Sequence, residues 1–75
     1  MEVHFMITVE QIRARLVEAI RNSGLTQTEL AKRVGVIQQS IAQYLSGRAM
    51  PSIETFANLC AALEVDPAYI LCLSD

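Results

Sequence analysis

The sequence predicts an all-α protein, a compact five-helix bundle in a single domain. Three observations carry that prediction. Five stretches place apolar residues at helical spacing, each bounded by a capping residue, a glycine or a proline. Only Val3–Ile7 (VHFMI) alternates, weakly, in the manner of a strand, and nothing else in the chain looks like a partner for it. The third is size: 75 residues, 52% of them apolar, must close a compact and mostly helical core to hold without staples.

Residues 1–7 read as a leader, either a short strand or a segment without order, and residues 8–75 as the folded domain. An ordered leader would pair with or pack on a second subunit. The first helix is expected over Val9–Asn22, with Thr8 as N-cap and a stop at Gly24. Val9, Ile12, Leu16, Ala19 and Ile20 share one face, with Arg13, Arg15, Glu18 and Arg21 largely off it. Thr26-Gln27-Thr28-Glu29 is a capping box, in which the Thr26 hydroxyl accepts from the Glu29 amide and the Glu29 carboxylate reaches back. It opens a second helix, Gln27–Val34, that buries Leu30, Ala31 and Val34 and ends at a left-handed Gly35.

The third helix is expected over Ile37–Leu45, stopped by Ser46-Gly47. Ile41, Tyr44 and Leu45 face inward, which leaves Gln38, Gln39, Ala42 and Gln43 open to a ligand. Met50-Pro51 must be a loop, because the residue before proline resists helix. Ser52 caps a fourth helix over Ile53–Leu63, and Asp66-Pro67 opens a fifth, short and almost wholly apolar, over Pro67–Leu73. That much apolar surface at one end of a small bundle either closes the monomer core or faces a second copy. The expected dimer interface is Tyr69, Ile70 and Leu73.

Composition excludes several classes. No apolar run approaches a membrane span, and the start MEVHFMI lacks the basic residues and cleavage site of a signal peptide, so a cytoplasmic protein is expected. Cys60 and Cys72 fall outside metal-ligand spacing, and His4 has no second ligand nearby, so neither metal nor other cofactor is expected. There is no nucleophile–base pairing and no phosphate-binding glycine loop, which speaks against an enzyme.

The net charge of −2 argues at first against a nucleic-acid partner. The distribution softens that objection. All six basic residues (Arg13, Arg15, Arg21, Lys32, Arg33, Arg48) lie between positions 11 and 48, opposed there by Glu18 and Glu29 alone. Residues 49–75 carry only acids, so one end is mildly basic and the other acidic.

The chemistry points the same way. A glutamine side chain can grip an adenine edge with both a donor and an acceptor, and here two stand together at the start of a helix that follows a helix and a turn. With Ala31 at the close-packed position and Gly35 at the turn, Leu25–Leu71 resembles the Cro/repressor-type (XRE-like) helix-turn-helix family of bacteriophage and bacterial regulators. Positions 25–41, LTQTELAKRVGVIQQSI, are most similar to lambdoid-phage repressors whose recognition helix begins with Gln-Gln.

The resemblance implies that Gln38 and Gln39 reach base edges in the major groove, and that Gln43 reaches the next base pair or a phosphate. It implies a phosphate contact from Gln27, helped by the amides of that helix start. Arg48, after Gly47, is the natural phosphate contact of the following loop. Ser40 either donates to a phosphate or decorates the helix. Ile37 stands where relatives carry a small polar or basic residue, and it either packs on a thymine methyl or tucks toward the core. The loop before the fourth helix has fewer cations than its phage relatives. Ile20 and Leu45 replace a buried arginine–glutamate pair found in some of them, a change that is often neutral or stabilising.

The expected function is therefore a transcriptional repressor that binds double-stranded DNA as a homodimer on a palindromic operator, by occupancy alone. The alternative is an antitoxin that also regulates its own promoter, with a toxin or anti-repressor as protein partner. A protein-interaction module that has lost DNA binding is the third reading.

Overall fold

The computed structural model describes residues 6–75, so the leader expected at 1–7 and the solitary His4 lie outside it apart from Met6 and Ile7. The helices are α1 (Val9–Asn22), α2 (Gln27–Val34), α3 (Gln38–Ser46), α4 (Ile53–Leu63) and α5 (Pro67–Ile70), with no strand among the described residues. Four of them start on a side-chain oxygen. Thr8 and Gln11 bond reciprocally at 2.9 and 3.2 Å, a capping box on α1 in addition to the one on α2. Ser52 accepts from the Thr55 amide at 3.2 Å, and Asp66 from the Ala68 amide at 3.0 Å. These oxygens satisfy amides that have no partner inside the helix.

Helix ends differ from expectation in two places, α3 and α5. α1 ends at Asn22 as expected, and the hydroxyl of its C-cap Ser23 donates to the Ile20 carbonyl at 2.7 Å. α3 runs Gln38–Ser46, which makes Ile37 its N-cap. The largest correction concerns α5, which ends at Ile70 instead of Leu73. Cys72 turns left-handed at φ 65°, and the Leu73 amide donates back to the Ala68 carbonyl at 2.8 Å. That is a Schellman ending on a cysteine, and Glu64 (φ 56°) closes α4 in the same way. Neither residue is one that announces a left-handed turn.

The core is drawn evenly from the bundle. Leu16, Leu30, Ile41, Leu59 and Ile70 have no accessible surface, and each comes from a different helix. Ile70 was expected at a dimer face. It is instead fully enclosed within one chain, because α5 lies along α1 and turns that side chain inward. Val9, at the start of the apolar face of α1, and Ile53, at the start of α4, are exposed, whereas Ile20 and Leu45 both join the core cluster. Cys60 and Cys72 are free thiols. Burial, and secondarily Asp66, raises the Cys60 thiol above its ordinary range, so it stays neutral and packs as a small hydrophobe.

Arg15 fastens the end of the chain to α1. Its Nη1 donates to the carbonyls of Tyr69 at 2.6 Å and Ser74 at 2.8 Å, and its guanidinium lies 4.3 Å from the centroid of the Tyr69 ring. Ile7 and Cys72 line one shallow hollow beside Gln11, Ala14 and Arg15, so both ends of the described chain meet there. Hydrogen bonds from a charged donor and a stacked cation together contribute on the order of 1–3 kcal/mol at a partly exposed site. Arg15→Ala should lose stability of about that size in urea unfolding. Arg15→Lys should recover only part of it, since an ammonium cannot stack and fork at once. Amide exchange at Leu71–Leu73 should quicken in both.

Candidate nucleic-acid interface

The geometry of the site begins at the turn. Gly35 adopts φ 81°, a conformation that costs a side-chain-bearing residue about 1–2 kcal/mol, and it lets α3 leave α2 after two further residues. Val36 packs on the core and Ala31 is buried beneath the turn. The angle between the helices is thus held by apolar contacts from both sides.

That angle brings the first residues of the two helices together. The Gln38 amide nitrogen, at the first position of α3, donates to the side-chain oxygen of Gln27, at the first position of α2. Gln38 keeps its own oxygen and one N–H free, and Gln27 keeps both of its N–H groups. Gln39 and Gln43 lie on the next stretch of the helix, where they line a shallow hollow with Ala42, Ser46 and Arg48. Small residues at 42 and 46 leave that hollow open between the amides and the guanidinium. Ser40, half-buried, lines neither group, and its amide closes a tight turn to the Ile37 carbonyl at 3.0 Å. Tyr69 is half-buried under Arg15, and Leu73 is exposed on the turn after α5.

The sequence reading missed Arg13. A Cβ at position 47 would stand 3.5 Å from both Cδ and Nε of Arg13, so this side chain crosses from α1 to lie on Gly47, the left-handed cap of α3. Its Nε is buried with no hydrogen-bond partner. α3 has no basic residue in its last turn, and Arg13 brings a cation to that negative end from outside the helix. Arg48 follows in the chain, so two guanidinium groups flank the same turn. The expectation that Arg13 lies largely off the apolar face is thereby corrected: positions 13, 16 and 20 share helical spacing, which turns these side chains toward a neighbouring helix.

The helix-turn-helix family matches residues 16–70. This chain belongs to it. The helix-turn-helix domain is of the XRE-like type that Leu25–Leu71 resembles. The transcriptional regulators for conjugative element R391 of Providencia rettgeri and for conjugative element SXT of Vibrio cholerae are each 37% identical to it over 62 residues, 83% of this chain. The chain spans 28% of the length of these relatives. The SOS-response transcriptional repressor LexA from Eubacterium rectale superimposes with a TM-score of 0.73 at 25% identity, covering 88% of this chain and 73% of that one. Among the described residues of the helix-turn-helix domain, no helix is long and apolar enough to cross a membrane, and no cluster of metal-ligating side chains occurs.

The start of α2 is electrostatically tuned. The Thr26 amide donates to the Glu29 carboxylate at 2.9 Å, and the Glu29 amide donates to the Thr26 hydroxyl at 3.0 Å. The Thr26 backbone bond is the main cause that holds the Glu29 carboxyl below its ordinary range, with Thr26's side chain, Arg33 and Lys32 adding to it. A carboxylate with a depressed pKa stabilises the fold above its unfolded value and loses that contribution as pH falls through the folded one. Stability should therefore fall as pH drops through and below the ordinary glutamate range. Glu29→Gln, followed by thermal unfolding across that range, should show a shallower acid dependence.

Proposed function

We propose that this helix-turn-helix domain reads DNA sequence for a transcriptional regulator, with α3 in the major groove and glutamines as its adenine readers. The observation that carries this reading is the Gln27–Gln38 hydrogen bond beside the exposed Gln39. A long amide on a helix surface ordinarily samples many rotamers, and here one of them is held. The donation to Gln27 consumes one N–H of Gln38 and leaves a donor and an acceptor side by side, the pair that an adenine N7 and N6 amino group require. The same bond leaves Gln27's N–H groups for a phosphate, so one contact joins positioning to readout. Gln39 and Gln43 extend the reading along the hollow. Ser40 and Arg48 serve the backbone, and Arg13 joins Arg48 as a second cation at the end of α3.

The protein acts as a repressor by occupancy, as a homodimer on a pseudo-palindromic site with half-sites about one helical turn apart. Tyr69 and Leu73 remain the candidate contact between copies, with Ile70 withdrawn into the core. Because few phosphates can be neutralised by so few cations, the affinity of a single domain is modest and its salt dependence shallow. Duplication restores the affinity.

Selection of bound sequences from a random duplex pool tests the reading directly. The expected yield is a two-fold motif with adenines at the positions nearest its outer ends or its centre, and a pool no richer in any sequence than the input would sink it. On the selected site, Gln38→Ala and Gln39→Ala should each cost about 1–3 kcal/mol of discrimination while helicity stays unchanged. Equal losses on selected and random duplex would show that these amides do not read bases.

A further inference from the structure

We infer that Arg13 is a positioning residue for Arg48: by holding the negative end of α3 it keeps the Arg48 guanidinium turned outward, toward a DNA phosphate. This rests on the DNA-binding reading above and goes further, since it makes one cation the reason that another is free to act.

The end of α3 is crowded on its backbone and bare of charge. The Gln43 carbonyl accepts from the Ser46 hydroxyl at 3.1 Å, the Arg48 amide at 3.0 Å and the Ala49 amide at 3.3 Å, and the Gly47 amide donates to the Tyr44 carbonyl at 3.4 Å. No basic residue stands in the last turn. A helix end of this kind attracts a cation, and an arginine just beyond the cap can fold back on the last carbonyls. Arg48 is the residue placed to do so. Its backbone amide joins the turn, but among the described residues its side chain bonds none of these carbonyls and lies exposed along the hollow of Gln39, Ala42, Gln43 and Ser46.

Arg13 has taken that seat. Crossing from α1, it brings Cδ, Nε and Cζ to 3.5, 3.5 and 3.6 Å from the point where a side chain at Gly47 would begin, and its Nε is shut away from water with no hydrogen-bond partner. Buried N–H groups are ordinarily bonded, and one left without a partner is costly. Packing on a glycine does not account for that cost, because an apolar side chain of similar length would fill the same space without it. What such a side chain cannot supply is positive charge at the end of α3. With that end already met by a cation, Arg48 gains little by folding back, and it would approach a like charge if it did. An outside anion is then its best partner, and the DNA backbone provides one.

The test measures the salt dependence of binding to the sequence selected by the wild-type chain. Each phosphate contact adds about 0.9 to the slope of log affinity against log salt. Arg48→Met should lose one contact, so its drop in affinity between about 50 and about 200 mM salt should be roughly three- to fourfold smaller than that of the wild type. Arg13→Met, which keeps the stem and removes the charge, should show the same reduction, because Arg48 then folds back. The double variant should be no shallower than either. Its Tm should fall below that of both single variants, since in each of those one arginine still meets the end of α3. Arg13→Lys, which keeps a cation in the seat, should retain the wild-type slope. Additive reductions in the double variant overturn the inference, because each arginine then meets a phosphate of its own. An Arg13→Lys slope as shallow as that of Arg13→Met overturns it as well. If the wild type binds no duplex at all, the DNA-binding reading falls and this inference falls with it. Salt-dependent binding by the wild type with an unaltered slope in Arg13→Met shows that Arg13 only packs, and removes this inference alone.

Discussion

Everything the surface of this domain can do depends on five side chains that meet with no access to water, Leu16, Leu30, Ile41, Leu59 and Ile70. Because each helix contributes one, no helix can shift without opening a void under the others, and interiors packed at crystal-like density tolerate that poorly. The α2–α3 angle is a product of this arrangement. Leu30 and Ile41 fix where the two helices cross, and Gly35 permits the chain to connect them. The glutamine side chains then inherit a separation short enough for Gln38 to bond Gln27.

A second consequence concerns electrostatics. The domain has little positive charge, and it uses what it has in structural positions as well as exposed ones. Arg15 stacks on Tyr69 and holds two carbonyls, while Arg13 rests on Gly47 with a buried Nε. Both lie on α1, Arg13 against the cap of α3 and Arg15 against α5. Charge therefore supports the frame, and the amides of α2 and α3 supply the contacts that distinguish one base pair from another.

The parts of the fold that were legible in the sequence are those decided within a few residues. Thr8, Thr26, Ser52 and Asp66 announce helix starts because an oxygen two or three positions ahead of an amide suffices to cap it. Gly35 and Gly47 announce ends because left-handed backbone favours glycine. Glu64 and Cys72 adopt the same conformation without that signal, so the early end of α5 could not be read. The burial of Ile70 was equally hidden, since spacing tells which residues are apolar but not whether a partner helix or a partner chain covers them. At the candidate site, the glutamines were legible from their position after the turn. The Gln27–Gln38 bond and the Arg13–Gly47 contact join residues that are far apart in sequence, and only the packing of helices brings them together.

The bond from Arg15 to the carbonyl of Ser74 has a mechanical side. With Ile7 and Cys72 lining one hollow beside that arginine, the two ends of the described chain leave the domain from a common point. Any tether joined to either end pulls on the same anchor, and a load between the ends falls first on that anchor and on the contact of α1 with α5. The amide face can thus remain in register while whatever is attached elsewhere swings about a single pivot.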